Sequence, residues 1–258
     1  MKELAARFLG RVSANPDRIM HARDLFDTYS TTFSFEFFPP KTPEAAEQLF
    51  GAITELEPLK PTFVSITYGA GGSTRDLTHD LVVRLKQRGA LNPVPHLTCV
   101  CHQEQELRSI LERYARAGIS NVLALGGDVP KEQQGYDRSR DAFQHAAGLV
   151  EFISHMNRSS VHPDPRGFGI GVAGYPEGHP GTPNRVKEMD YLKAKVDAQA
   201  LSTILGNGAV DHRAAIDAFP GVEHDKEIRE PLQHHRPLTL RTFHRSLLRW
   251  LRAQLLSR

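Results

Sequence analysis

The sequence predicts an α/β fold, a (βα)8 (TIM) barrel, on three observations. Apolar strand patterns and helical patterns alternate five times, mostly at about thirty residues per unit, and such alternation implies a parallel sheet with right-handed crossovers. The strand patterns are near-continuous apolar runs, as expected where both faces of a parallel sheet are covered. The first strand is followed by Pro39 and Pro40, not by the glycine fingerprint of a dinucleotide-binding unit. This absence favours the barrel over the alternative, an open doubly wound sheet.

Composition is ordinary for a soluble globular protein. The chain has 258 residues, enough for one large domain or two small ones, with 40% hydrophobic and 24% charged residues. A formal charge of +2 gives no case for a nucleic-acid partner. The sequence has no apolar run of about 18 residues, and its N-terminus is too charged for a secretory signal. We therefore expect no membrane partner and a cytoplasmic location.

The two cysteines, Cys99 and Cys101, are predicted to be reduced thiols. At a spacing of two residues they would share one face of a strand, where neighbours rarely form a disulfide. Two thiols are also too few for a tetrahedral zinc site. Reduced cysteines are typical of a cytosolic protein.

The first strand pattern lies within residues 32–41, and a helical pattern over residues 1–31 is predicted to form a cap that precedes it. Phe33, Phe35 and Phe37 fall on one face of this strand, because side chains alternate along a strand. Glu36 falls on the other face, near the carboxyl end, and the prolines that follow cannot donate to a ladder.

Glu36 is the first candidate for a functional residue. Burying an unpaired carboxylate is costly, so we expect burial to raise the pKa of Glu36. A carboxyl group that is partly protonated near neutral pH is suited to general acid catalysis. The structural alternative is a glutamate that forms a salt bridge or points to solvent.

The remaining units follow in chain order. Further strands are predicted over residues 63–67, 94–100, 121–125 and 168–173. Helices are predicted from Thr42 to Leu56 and over residues 74–88, 103–117, 141–156 and 184–198. Polar and proline-rich stretches at 131–140 and 157–167 read as loops.

Unusual residues collect at the predicted carboxyl ends of the strands, where a barrel carries its active site. They are Glu36, Thr67, Tyr68, His96, Asp128, Tyr175 and His179. Singly, each has a structural explanation: Thr67 can simply end a strand, His96 can be a satisfied core histidine, and Asp128 can hydrogen-bond its own turn. Together with glycine-rich loops they predict a large polar ligand lying across a barrel mouth.

At this point six motifs identify a resemblance. They are FEFFPPK at 35–41, SITYGAGG at 65–72, PHLTC at 95–99, GDVP at 127–130, YPEGHP at 175–180 and LKAKVDA at 192–198. In this order they closely resemble the methylenetetrahydrofolate reductase family, of the bacterial flavoprotein type, over roughly residues 15–200. Six motifs at family spacing are far more specific than any one of them.

The resemblance implies a (βα)8 barrel that holds FAD at its C-terminal face and reduces 5,10-methylenetetrahydrofolate to 5-methyltetrahydrofolate. The implied partners are the folate substrate and a reduced nicotinamide, NADH (or NADPH), with a homo-oligomer expected if the barrel is complete. Glu36 would be the general acid, and Asp128 would stabilise the substrate cation and tune the flavin. The positions implied to line the FAD are Thr67, Tyr68, Ala70, His96, Leu125, Gly126, Gly127, Asp128, His145, Ala146, Tyr175, His179, Glu188 and Lys195.

The sequence departs from the family pattern at five positions. Gly126 replaces an arginine, which removes a cationic contact to FAD, while His145 replaces a tyrosine and Glu188 an aspartate. Gln199 stands where the family has a glycine. Gly206 stands where the family has its folate-binding glutamine.

These departures divide the chain into a reductase-like (βα) barrel portion, 1–200, and a basic, His/Arg-rich C-terminal segment, 201–258. The barrel is therefore predicted to be incomplete or divergent after the fifth or sixth strand, by a reading-frame change near residue 199 or by a divergent C-terminus that packs on the barrel. The segment's five histidines have no metal-site spacing and read as surface groups. A terminal helix is predicted from Leu240 to Leu255, packed or exposed, with a membrane surface or a partner as the alternative. An inactive family member that at most binds flavin or folate is the alternative function.

Overall fold

The computed structural model describes residues 21–28, 31–89, 91–133, 135–175, 179, 182, 184–200, 202–205 and 240–244. Seven strands form one sheet. They are β1 (Thr31–Phe37), β2 (Phe63–Ile66), β3 (Pro93–Thr98), β4 (Asn121–Leu125), β5 (Gly169–Gly174), β6 (Ser202–Leu205) and β7 (Leu240–His244).

In the described ranges one helix precedes β1, and five helices connect the first six strands. They are α1 (Ala22–Thr28), α2 (Pro43–Leu56), α3 (Arg75–Arg88), α4 (Glu104–Arg116), α5 (Ala146–Asn157) and α6 (Arg185–Asp197), with short 3₁₀ turns at Glu57–Leu59, Ala70–Gly72 and Arg138–Arg140. Because a helix follows each of the strands from β1 to β5, the predicted five strand–helix units are confirmed.

The strand order is β6-β5-β4-β3-β2-β1-β7, with β1 to β6 parallel and β7 antiparallel to β1. A parallel α/β sheet is thus confirmed. Among the described strands the hydrogen-bonded order begins at β6 and ends at β7, so closure into an eight-stranded barrel stays a prediction.

The main core lies between the sheet and its helices. Phe35 and Phe37 of β1 point into it, and it includes the fully buried Leu85, Leu111 and Ile153 of three helices. Burying each such aliphatic side chain contributes about 1.5–3 kcal/mol relative to leaving it exposed. This face therefore fixes the register of the strands, because a slip by one residue would turn every apolar side chain to the opposite face.

The opposite, inner face of the sheet has a smaller apolar cluster near the amino ends of the strands. Leu25 of α1 packs there against Phe63, Val94 and Leu123. The amide of Ala22 donates to Asn121 Oδ1 over 2.6 Å and holds α1 on β4. The predicted N-terminal cap is confirmed for α1, while residues 1–20 lie outside the described residues.

Two helices begin directly after a residue whose side chain caps the helix N-terminus. Thr42 accepts a hydrogen bond from the amide of Ala45 with proline at the first helical position of α2. Asn184 accepts from the amide of Lys187 at the start of α6. These side chains satisfy backbone donors that a helix leaves unpaired in its first turn.

The predicted start of α5 at residue 141 was wrong by five residues, because Asp141 is buried and its carboxylate holds the preceding loop. It accepts from Cys101 N over 2.8 Å, from Tyr136 Oη over 2.8 Å and from Arg138 Nε over 3.2 Å. Donors from three positions therefore fix Asp141 outside a helix, and α5 begins at Ala146.

The prediction that both cysteines share a strand face was also wrong. Strand β3 ends at Thr98, so Cys99 lies after the strand, and Cys101 lies in a turn with φ +60°. Cys99 is fully buried, Cys101 is partly exposed, and both are free thiols.

The C-terminal segment departs from its predicted helix. Leu240–His244 forms β7 on the edge of β1, with Leu240 opposite Phe35 and His244 opposite Thr31, so the helix prediction was wrong over these residues. An edge strand presents unpaired backbone donors and acceptors that an added strand satisfies. Gly206, the histidines before residue 240 and the rest of the predicted helix, 245–258, lie outside the described residues.

Within the described ranges, no helix combines the length and the apolar character that crossing a membrane requires.

Candidate functional site

The buried carboxylate of Glu36 lies on the inner face of the sheet, one residue before the end of β1. Ser65 of β2 is its register partner and donates its hydroxyl to Glu36 Oε2 over 3.3 Å. From β3, His96 Nε2 lies 3.4 Å from the same oxygen. Three neighbouring strands therefore bring a carboxyl group, a hydroxyl group and an imidazole together in a buried polar group.

The sequence places Glu36 there by alternation. Phe35 and Phe37 both belong to the helix-side core, so Glu36 between them must face inward. The parallel register then sets Ser65 opposite it. The structure thus confirms that Glu36 is buried and lies on the strand face opposite to Phe35 and Phe37. The contact with Ser65 was not predicted from the motifs.

Thr98 is a second inner-face residue that the sequence reasoning missed. It follows His96 by two residues in β3, and its buried hydroxyl has no hydrogen-bond partner within the described part of the chain. An unpaired buried hydroxyl is costly. Thr98 is therefore available to a polar atom of a bound ligand.

The glycine-rich loop after β4 presents Asp128. Leu125 O accepts from Cys99 N over 3.1 Å and Gly126 O accepts from Val100 N over 3.2 Å, which extends the β3–β4 ladder past both strands. Gly127 has φ +78°, and a Cβ there would meet Thr98 Cβ at 2.6 Å. Only glycine fits this turn.

Asp128 itself is exposed at the carboxyl end of β4, on a connection three strands along the sheet from β1. The side chain carries its charge at the strand ends, as predicted, but on a different loop from Glu36. A cavity of about 460 Å³ adjoins this loop. It is lined by Val129, Pro130, Lys131, Gln133, Gly135 and Tyr136.

The end of β2 is tied to both neighbouring elements. Thr67 N donates to Phe37 O over 2.9 Å, and Thr78 Oγ1 donates to Thr67 O over 3.1 Å. Tyr68 is buried, its hydroxyl lies 2.9 Å from His102 Nε2, and burial raises its pKa to about 12. The phenol is held inside the protein, whereas Ala70 in the same loop is exposed at the start of a 3₁₀ turn.

Lys195 of α6 is a buried cation beside β5. Its ammonium group donates to Ala173 O over 2.7 Å, and burial lowers its pKa, while the nearby Glu188 opposes that shift. Glu188 is also buried and accepts from Thr182 Oγ1 over 2.8 Å. The structure thus brings together the two charged residues predicted on α6.

The other predicted site residues lie on the connections that follow β4 and β5. Tyr175 comes directly after β5, and its ring packs edge-on against His179, with ring centroids 4.7 Å apart. His145 precedes α5, whose first residue is Ala146, and its ring stacks on Tyr191 of α6 at 5.9 Å. All of these positions belong to the carboxyl-end side of the sheet.

Three further residues of this edge were not singled out as site candidates in the sequence. Phe38 follows β1 and leaves 61% of its surface exposed. His102 and Asp141 are buried behind the strand ends, where they bond neighbouring loops. Long-range contacts of this kind are visible only once the strands are placed.

A larger groove of about 650 Å³ lies away from this edge, between α2 and α3. Its apolar centre is Phe50, with the guanidinium carbon of Arg84 4.2 Å from the ring centroid. The predicted site residues do not line it.

A parallel α/β sheet with buried polar side chains, a buried lysine and glycine turns at the carboxyl ends of its strands is the arrangement in which α/β proteins commonly bind polar ligands. The family model for methylenetetrahydrofolate reductase matches residues 21–204. The chain therefore belongs to the methylenetetrahydrofolate reductase family.

Named relatives agree with this assignment. The chain is 40% identical over 167 residues to "5,10-methylenetetrahydrofolate reductase" of Pectobacterium carotovorum subsp. carotovorum and to the protein of that name from Escherichia coli (strain K12), covering 65% of this chain and 51% of each relative. It is 42% identical over 179 residues to "Methylenetetrahydrofolate reductase (NADH) 1" of Arabidopsis thaliana, covering 66% of this chain and 29% of that protein. The chain thus spans about half the length of these bacterial relatives.

Proposed function

We propose that this protein is a flavoenzyme that reduces 5,10-methylenetetrahydrofolate to 5-methyltetrahydrofolate, with a reduced nicotinamide as the hydride donor and FAD as the cofactor. The observation that carries the proposal is the buried Glu36 carboxylate, held by Ser65 and His96 within the span that matches the family. A (βα)8 barrel, a cytoplasmic location and a homo-oligomer belong to the same proposal.

The residues at the strand ends fit FAD. Thr98 has a buried hydroxyl without a partner among the described residues, and Gly127 packs its turn against Thr98, where a side chain would clash. Lys195 supplies a cation suited to a diphosphate. When bound, FAD would supply hydride transfer, and the protein supplies orientation and electrostatics.

Glu36 is proposed as the general acid. In its protonated form it would donate its proton to the folate nitrogen that leaves as the five-membered ring opens, which exposes an electrophilic substrate cation. Ser65 and His96 hold the carboxyl group in place for that transfer. Asp128 would stabilise the substrate cation through its negative charge.

NADH is proposed as the donor in preference to NADPH. The support is the plant relatives, which carry NADH in their names. The other positions that the family resemblance assigns to the FAD site, including Thr67, Ala70 and Glu188, are proposed to line the bound FAD.

An absorption spectrum of the purified full chain tests the proposal. We expect an oxidised-flavin spectrum, present as purified or after adding FAD, that bleaches with NADH under anaerobic conditions and recovers with 5,10-methylenetetrahydrofolate. A protein that takes up no FAD, or whose bound FAD stays oxidised with both NADH and NADPH, would overturn it.

A second candidate is a family member without turnover, which at most binds flavin or folate. The observation that favours it is β7, which runs antiparallel on the edge of β1 where a (βα)8 barrel requires a parallel strand. On this reading residues 1–200 keep the ligand site, and residues 201–258 add β6 and the antiparallel β7 to the sheet without completing a barrel. Steady-state folate reduction by the pure chain would rule this candidate out.

A further inference from the structure

We propose that Tyr68 and His102 form a buried hydrogen-bonded pair that positions the loop 69–72 for ligand binding. His102 is here a positioning residue, since it acts through the loop. The pairing rests on geometry alone, and its effect on FAD affinity rests on the function proposed above.

The hydrogen bonds of His102 define one tautomer. Its Nδ1 lies 2.8 Å from Val100 O, and a carbonyl can only accept, so Nδ1 carries the proton. In the neutral ring Nε2 is then an acceptor, and the Tyr68 hydroxyl donates to it over 2.9 Å. Burial lowers the pKa of His102, which keeps the ring neutral.

The loop packs directly on both rings. Gly72 has φ +75°, and a Cβ there would lie 2.9 Å from His102 Cε1 and 3.2 Å from Tyr68 Cε1. The turn is closed by Gly72 N donating to Gly69 O over 2.8 Å, and Gly69 N donates to Thr74 Oγ1 over 2.8 Å. A shift of either ring would therefore displace the turn that carries Ala70.

His102 also joins this loop to the next connection. Its carbonyl accepts from Ala142 N over 2.9 Å, beside the buried Asp141. In parallel, Arg75 in the first turn of α3 bonds Glu106 in the first turn of α4 over 3.1 Å. His102 thus links the strand ends of β2, β3 and β4, through its imidazole to Tyr68 and Val100 and through its carbonyl to Ala142.

The consequence is preorganisation. A loop that is already held in its binding conformation loses less conformational entropy when a ligand binds, so the affinity is higher. Loss of one buried hydrogen bond is worth about a tenfold change in an equilibrium constant. The pair should therefore control both the opening of the loop and the affinity of the site.

Four variants of the full chain separate the roles. Tyr68→Phe removes the hydroxyl and keeps the ring. His102→Gln offers an amide oxygen near Nε2 and can still accept from Tyr68, whereas His102→Asn replaces the Nδ1 contact and does not reach Tyr68. The fourth is the Tyr68→Phe/His102→Asn double variant, and His155→Gln, on the exposed side of α5, is the control.

Two measurements give the result. Amide hydrogen exchange at Gly72 and Ser73 should rise about tenfold in Tyr68→Phe and in His102→Asn, and the FAD Kd from fluorescence titration should rise by a similar factor. His102→Gln should stay within about threefold of the wild type on both readouts. The double variant should be no worse than either single variant, because both remove the same bond. The ¹⁵N shifts of wild-type His102 should be those of the Nδ1-protonated tautomer.

The proposed pair would be overturned by any of three results. They are an unchanged amide exchange rate in Tyr68→Phe, a double variant whose effects are the sum of the two single variants, and a His102 ring protonated at Nε2. Faster exchange with an unchanged FAD Kd would overturn its link to the site. If the wild type bound no FAD, the proposed function would fail, and exchange would still decide the pairing. If His102→Asn did not fold, Tyr68→Phe, which keeps the ring packing, would decide it.

Discussion

Glu36 and His96 meet across an intervening strand: Oε2 of the carboxylate in β1 lies 3.4 Å from Nε2 of the imidazole in β3. Ser65 of β2, between them, donates to the same oxygen. The arrangement gives the carboxyl group a fixed position on the inner face of the sheet, at the carboxyl ends of the strands.

Glu36→Gln should keep FAD binding and lose folate reduction. The amide preserves the shape and the contact with Ser65 but has no acid proton to give, so kcat for folate reduction should fall by about 10²–10⁴. Stopped-flow measurement of the two half-reactions checks this, because NADH should still reduce the flavin. Glu47→Gln, an exposed change on α2, is the control. Folate reduction at the wild-type rate in Glu36→Gln would remove Glu36 from the acid role.

Asp128→Asn should slow the folate half-reaction without destabilising the fold. The side chain is exposed, so the free energy of unfolding should change by less than about 0.5 kcal/mol. Removing a charge that stabilises the substrate cation should cost about 10- to 100-fold in rate. Rapid mixing of the prereduced enzyme with folate substrate measures the rate of folate reduction. An unaltered rate in Asp128→Asn would argue that Asp128 does not stabilise the substrate cation.

Gln199→Gly should stabilise the protein. Gln199 has φ +83° and follows the end of α6, where its amide bonds Val196 O over 3.0 Å and the amide of Ala200 bonds Lys195 O over 3.0 Å. This is the C-terminal helix motif that favours glycine. Relief of the left-handed strain should raise the free energy of unfolding by about 1 kcal/mol in urea titrations. Gln199→Ala is the matched control and should give no such gain, since alanine has the same Cβ; an equal gain in both would refute the strain argument.

Arg166→Gln should destabilise the protein in a pH-dependent way. Arg166 forms a bidentate pair with Asp24 of α1, at 2.7 and 3.0 Å, and also bonds Asp164, whose pKa it lowers to about 2. A carboxyl pKa that is lower in the folded state stabilises the fold above the unfolded value near 4, and this contribution is lost as pH falls through about 2.

The variant should therefore lose about 1 kcal/mol at pH 7, a figure reduced for the partial exposure of Arg166. The difference from the wild type should narrow as pH falls from about 4 to about 2. Urea unfolding across this range measures it, with the exposed Arg158→Gln as control. A difference that is constant with pH would show that the Asp164 contact contributes nothing.

The sequence predicted local structure correctly where side-chain periodicity or the placement of glycine and proline was enough to determine it. The alternation in β1 predicted the inward face of Glu36, and the paired glycines predicted the turn that presents Asp128. The same reasoning placed α5 five residues early, because the helical pattern begins at Asp141 while that carboxylate is held by Cys101, Tyr136 and Arg138. A helix boundary fixed by distant donors leaves no trace in the local pattern.

By itself the sequence determined the parallel strand–helix order, the inward carboxyl group and the family, because these depend on residue periodicity and on motifs that are contiguous in the chain. Tertiary structure alone decided which side chains share the strand ends: Ser65 and His96 on Glu36, and His102 on Tyr68. It also decided that Leu240–His244 pairs with the edge of β1 as a strand. The physical reason is that strand register and edge pairing are set by packing between residues far apart in the chain, which no local pattern encodes.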